Sequence, residues 1–98
     1  MPRFERENFT NRTIHLDGNA YVDCIFRGCR IVYGGTNPVV LGNNVYDDCT
    51  WGFTGPAWST IEFMTKLHQM GGVAQQLVEA TFESIRRGTI HHPPTAAF

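Results

Sequence analysis

The sequence predicts an α+β chain, with short stacked β-segments to about residue 56 and two α-helices beyond. Three observations lead there. Asn19-Ala20-Tyr21-Val22-Asp23-Cys24-Ile25-Phe26 returns as Asn44-Val45-Tyr46-Asp47-Asp48-Cys49-Thr50-Trp51, with four of eight positions identical at an offset of 25. Like residues at a fixed period indicate stacked structural repeats. Within each copy, inward-looking residues come in pairs at steps of five: Ile14/Leu16, Asn19/Tyr21, Cys24/Phe26 and Cys29/Ile31, then Val39/Leu41, Asn44/Tyr46 and Cys49/Trp51. After Gly55-Pro56 the apolar spacing changes to that of a helix.

Strand alternation accounts for the spacing of two within a pair, because successive side chains point to opposite faces. It does not account for the step of five, since a straight strand flips parity at every odd step. A corner after each pair removes the conflict. Four such sides make a 20-residue turn, and Gly34-Gly35-Thr36-Asn37-Pro38 reads as a five-residue loop added before the next turn. Stacking at 25 is then expected to set Ile14 over Val39, Leu16 over Leu41, Tyr21 over Tyr46 and Phe26 over Trp51. It also predicts an Asn19–Asn44 amide ladder, with Cys24 and Cys49 at a separation compatible with a disulfide. The competing reading is a small antiparallel sheet whose strands share Asn-x-Tyr-x-Asp-Cys.

On these pairs the chain resembles the pentapeptide-repeat proteins, in which a small and a large apolar residue, two apart, face the interior. Cys24/Phe26 and Cys29/Ile31 fit best, and Cys49/Trp51 fits with an oversized aromatic. The resemblance covers roughly residues 9–56 and implies a narrow right-handed parallel β-helix of square cross-section. It departs from the family pattern in its length of about two turns, its inserted loop and its Asn/Tyr pairs. The fold class expected is therefore a short right-handed parallel β-helix followed by two α-helices. The family includes DNA mimics that bind topoisomerases, but those are longer and acidic.

The first helix is expected to bury a stripe of Trp58, Ile61, Met64 or Thr65, and Leu67/His68, and to stop at Gly71-Gly72. The second runs from Val73 to Ile85 with Ala74, Leu77, Val78, Thr81, Phe82 and Ile85 inward. Arg86-Arg87-Gly88 closes it, with the arginines at the negative end of the helix dipole. We expect one domain over residues 1–98: β-helical turns at about 9–56, a helical hairpin at about 57–87, and an extended tail at 88–98 that includes His91-His92-Pro93-Pro94.

Composition narrows the function classes. The hydrophobic share is 42%, twelve residues are aromatic and 17% are charged, which is globular rather than disordered. A net charge of −1 argues against a nucleic-acid groove and against a polyanionic mimic. No apolar run approaches a membrane span, and Met1–Asn11 lacks a signal-peptide core, so a cytoplasmic protein is expected. The three cysteines are expected as free thiols filling small interior positions, with no metal and no cofactor.

No catalytic residue is assigned. His15, His68, Asp23, Asp47 and Asp48 fit solvated or structural positions, and adjacent His91 and His92 point apart in an extended segment. Nucleophile-elbow, zincin, phosphate-loop and dinucleotide motifs are missing from the sequence. An enzyme is the third-ranked class, requiring His15 or His91 beside a carboxylate or thiol in a cleft.

Binding is the leading class. Two open ends of a short coil of strands invite pairing, so a homo-oligomer is expected, with a dimer favoured. Seven of eight basic residues are arginine, suited to forked contacts with carboxylate or phosphate. Arg27, Arg30, Arg86 and Arg87, with Trp51, Trp58 and Tyr33 as flat faces, are the candidate ligand-binding residues. The first reading is a non-catalytic homo-oligomeric binding or assembly module that meets itself or another protein through apolar surface. The second is a small-molecule sponge holding a phosphorylated or nucleotide-like ligand between subunits, a character found among small phage or bacterial proteins that sequester nucleotide signals.

Overall fold

Nine short strands coil through the first half of the chain, and five residues make each side of the coil. The structure, a computed structural model, describes residues 1–88. The strands are β1 (Arg3–Glu5), β2 (Asn8–Thr10), β3 (Thr13–His15), β4 (Ala20–Val22), β5 (Ile25–Arg27), β6 (Arg30–Tyr33), β7 (Val40–Gly42), β8 (Val45–Asp47) and β9 (Thr50–Phe53). They pair in parallel as three sheets, β1-β4-β7, β2-β5-β8 and β3-β6-β9, stacked in three rungs. Helices α1 (Gly55–Met70) and α2 (Gly72–Arg87) follow. The fold class is the one expected: a short right-handed parallel β-helix followed by two α-helices. The chain divides into two units, Met1–Ser59 and Thr60 onward.

The corners explain the step of five. Arg6, Asn11, Asp23, Asn43 and Asp48 hold φ between +52° and +57°, and Gly28 holds +62°. A left-handed residue directly after β1, β2, β4, β5, β7 and β8 turns the chain and returns the next pair to the inside. Asn and Asp tolerate that region better than most residues, which is why they recur there.

The register differs from the expected 25. In the first turn Phe4 lies beside Tyr21, Phe9 beside Phe26 and Ile14 beside Ile31, an advance of 17 residues. In the second, Tyr21 lies beside Leu41, Phe26 beside Tyr46 and Ile31 beside Trp51, an advance of 20. Gly34–Pro38 is thus not an addition to a complete turn; it is the turn's fourth side. The sequence echo spans one full turn plus one side, and it relates β4 to β8 in different sheets. None of the four ladders expected at 25 forms, because sides of equal length keep the same inward phase when the chain slips by one side.

The fourth side carries no strand among the described residues. In the first turn it shrinks to Asp17 and Gly18, and this short link anchors the longer one above. The Asp17 carboxylate accepts the Gly34 and Thr36 backbone N–H groups, each at 2.7 Å, and the Thr36 hydroxyl at 2.8 Å. The Gly34 N–H first, and then that of Thr36, hold the Asp17 carboxyl well below the usual carboxylate range. Gly35, at φ +77°, passes so close to the first turn of α1 that an added Cβ would lie 3.0 Å from the Ala57 nitrogen. That approach lets Ala57 N–H bond the Gly34 carbonyl at 2.9 Å.

Phe26 and Ile31, both fully buried, centre the core of the coil. Phe26 is stacked between Phe9 and Tyr46, with centroids 5.1 and 5.2 Å away. Phe4 and Tyr21 make a parallel stack at 5.0 Å. Burial pushes the Tyr21 phenol up, so it stays neutral.

All three cysteines are free; Cys24 and Cys29 are buried and Cys49 is half-buried. Each thiol donates to a carbonyl one rung below, those of Phe4, Phe9 and Phe26, at 3.4 Å. The residue above Cys24 is Asn44, not Cys49; the Asn44 side-chain oxygen accepts the Cys24 N–H at 2.8 Å. The Asn44 amide nitrogen donates to the Tyr21 carbonyl at 3.0 Å, while Asn19 turns to the His15 carbonyl. The Asn19–Asn44 ladder is therefore absent, and each amide is satisfied by backbone.

In the second unit, Leu67 of α1 and Ala74 and Val78 of α2 form a small core with Met64 and Leu77 against it. Gly71 alone separates the helices, at φ +72°, followed by Gly72 at +59°. Gly88 closes α2 in the left-handed conformation. The expected stripes are buried only near the turn: Phe82 is 43% exposed and Ile85 55%. Trp58, expected inward on α1, is exposed. The expected tail lies, beyond Gly88, outside the described residues.

Candidate functional site

The two ends of the coil differ, and the difference comes from side chains at equivalent positions. In the middle rung the first residue of two inward pairs is Cys24 or Cys29; one rung below, the same places hold Glu7 and Arg12. At the lower end these long side chains reach solvent, and the Arg12 guanidinium lies 5.4 Å from the centre of the Phe9 ring. Phe9, Ile14 and Leu16 stay buried there.

At the upper end the inward positions hold Val39, Leu41, Asn44, Tyr46, Cys49 and Trp51, and no fourth rung follows among the described residues. Ile31 is fully buried in the middle rung, whereas Trp51 directly above it is 54% exposed. Leu41 above buried Tyr21 is 43% exposed, and Phe53 at the end of β9 is 57% exposed. Together with Leu16, Tyr33 and Val39 these residues line an apolar hollow of about 250 Å³. A row of core side chains left without its next layer is an exposed apolar surface, and so a candidate for binding.

The seven candidate ligand residues do not share one place. Tyr33 and Trp51 line the apolar hollow. Arg27 is on β5 with its Nε 4.0 Å from Asp47, directly across in β8, and Arg30 is exposed on β6. Trp58 is in the first turns of α1. Arg86 and Arg87 both bond the Glu83 carboxylate, at 3.3 and 2.9 Å, and both are exposed. Glu83 therefore offsets one of the pair's two positive charges, and Glu79 lines a second hollow with Arg86, His68 and Phe82.

Two features escaped the sequence. Leu41 belongs to the open end; its signal was the register, which the echo concealed. His68 meets Glu79 across the helical turn at 3.3 Å, with the Gln75 amide 3.3 Å from the same ring nitrogen. Beside them a groove of about 330 Å³ opens between Ile61 and Met64 of α1 and Val78 and Phe82 of α2. His15 is exposed on β3. No group of three or more His, Cys, Asp or Glu among the described residues could hold a metal ion, and no described helix is long and apolar enough to cross a membrane.

No family model matches the chain, nor does any curated protein or solved structure. The strands and helices define a short pentapeptide-repeat-like β-helix followed by two α-helices, a fold consistent with a structural or binding module.

Proposed function

We propose that this chain is a non-catalytic, homo-oligomeric binding and assembly module that works through apolar surface. The observation that carries the reading is the uncovered third rung, where Leu41, Trp51 and Phe53 continue a core that is closed one layer below. Exposing such a row to water is unfavourable by roughly 25 cal/mol per Å² of apolar area, so association that covers it is driven in the same proportion. Apolar surface also continues the core of the second unit, at Phe82 and Ile85.

The sponge reading draws support from Tyr33, Trp51 and Phe53 around one hollow, which could take a flat ligand. Its phosphate-binding half has less support, since Arg86 and Arg87 already share Glu83.

Native mass spectrometry of protein taken from its expression host, compared with the denatured mass, tests both. We expect a multimer of bare chains. A multimer carrying a discrete mass that is lost on denaturation would favour sequestration. A monomer at every concentration would overturn the assembly reading.

A further inference from the structure

The helical groove carries a pattern that specifies what fills it. Near the turn, Leu67, Ala74 and Val78 cover one another; further along α2, Phe82 lines the groove while half exposed, and Ile85, two helical turns from Val78, is exposed. Two helices with three buried side chains leave a core only half built, and the usual completion is a second pair of helices. The charges on α2 run in order, acid first and base second: Glu79 before the stretch, Glu83 within it and bonded to both arginines of its own chain, then Arg86 and Arg87 after it. Glu79 and Arg86 are seven residues apart, two helical turns, and therefore on one side of the helix with Phe82 between them.

Building on the reading that copies associate, we propose that the groove is occupied by α2 of a second copy, running antiparallel about a two-fold axis near Phe82 and Glu83. A two-fold axis exchanges the two ends of the stripe. It sets Arg86 against the partner's Glu79 and Glu79 against the partner's Arg86, with Phe82 and Ile85 covered between them. A parallel mate would set Glu79 against the partner's Glu79 and arginine against arginine, which is repulsive at both ends. The charge order therefore selects direction as well as partner.

The test is a charge swap read by size-exclusion chromatography with light scattering, with circular dichroism confirming the fold. Glu79 and Arg86 are exposed and outside the buried cluster of the hairpin; because Glu79 also meets His68 of α1, Glu79→Ala, which removes that contact without reversing the charge, serves as the fold control. Glu79→Arg and Arg86→Glu should each weaken association at least roughly tenfold, because each puts like charges at two symmetry-related points. The double variant Glu79→Arg/Arg86→Glu restores both contacts and should recover association. Single reversals without effect, or a double variant no better than the singles, overturn the proposal. If Trp51→Asp dissolves the multimer and the reversals do not, the interface is the open rung, and self-association survives while this inference falls. A wild type that never associates removes both.

Discussion

Replacing Phe26 with alanine tests the twenty-residue turn directly. Phe26 is fully buried and touches three rings: Phe9 and Tyr46 stacked on its two faces, and Tyr21 edge-on at 5.5 Å. Removing a buried phenylalanine side chain costs about 3–5 kcal/mol, and each aromatic pair adds about 0.5–1.5 kcal/mol beyond burial. Small domains hold about 5–15 kcal/mol in total, so Phe26→Ala should lose a large part of the coil's stability. Urea denaturation followed by circular dichroism measures the loss. Phe53→Ala, at a site more than half exposed, serves as the control and should cost far less. A double-mutant cycle then locates the neighbour. Phe26 should couple to Tyr46 by about 0.5–1.5 kcal/mol, the value of a stacked pair. An unchanged midpoint for Phe26→Ala would refute the core assignment. Coupling to Trp51 with none to Tyr46 would refute the register and restore the 25-residue ladder.

Two further outcomes follow from contacts elsewhere in the coil. Asp17 has a folded pKa below its unfolded value near 3.9, so its contribution is present above that value and is lost as pH falls through the folded pKa. Asp17→Asn should therefore lower the melting temperature at neutral pH and converge on wild type in acid; a constant difference at every pH would show that the carboxylate charge is irrelevant. Among the cysteines, Cys49 should react with a thiol reagent in the native state, while Cys24 and Cys29 wait for unfolding. Equal rates for all three would contradict the open third rung.

Much of the coil could be read from the residues because its grammar is local. The inward pairs and the corner residues Asp23 and Asp48 recur at steps of five, and five residues make one side. The register could not be read the same way. Slipping by one whole side preserves every inward and outward position, so the length of Gly34–Pro38 and its tie to Asp17 choose the ladder. The lowest rung begins at Arg3 and was hidden because Glu7 and Arg12 stand where the middle rung has cysteines. Phe4, Phe9 and Ile14, themselves at steps of five, were the signal available. The helices were legible from periodicity, with α2 observed from Gly72 to Arg87 against the expected Val73 to Ile85. The His68–Glu79 meeting was not, since it depends on the angle that the Gly71 turn imposes.

The constant spacing between rungs also governs how the coil assembles and comes apart. Every strand meets its neighbour at a separation of 17 or 20 residues, so each new rung closes a loop of nearly the same size. Closure entropy rises only with the logarithm of loop length, and no distant segment must be awaited. Folding in linear stacks can nucleate at any repeat and propagate, and the same is expected of these rungs. Each end rung has a neighbour on one side only, which makes the two ends the first to fray, and the final one also carries the exposed Leu41, Trp51 and Phe53. The Val45 and Thr50 amides, bonded to the Cys24 and Cys29 carbonyls at 2.9 and 3.0 Å, report that fraying through their hydrogen-exchange rates. Anything that settles on the third rung turns a fraying edge into an interior layer, and those two amides slow as it does.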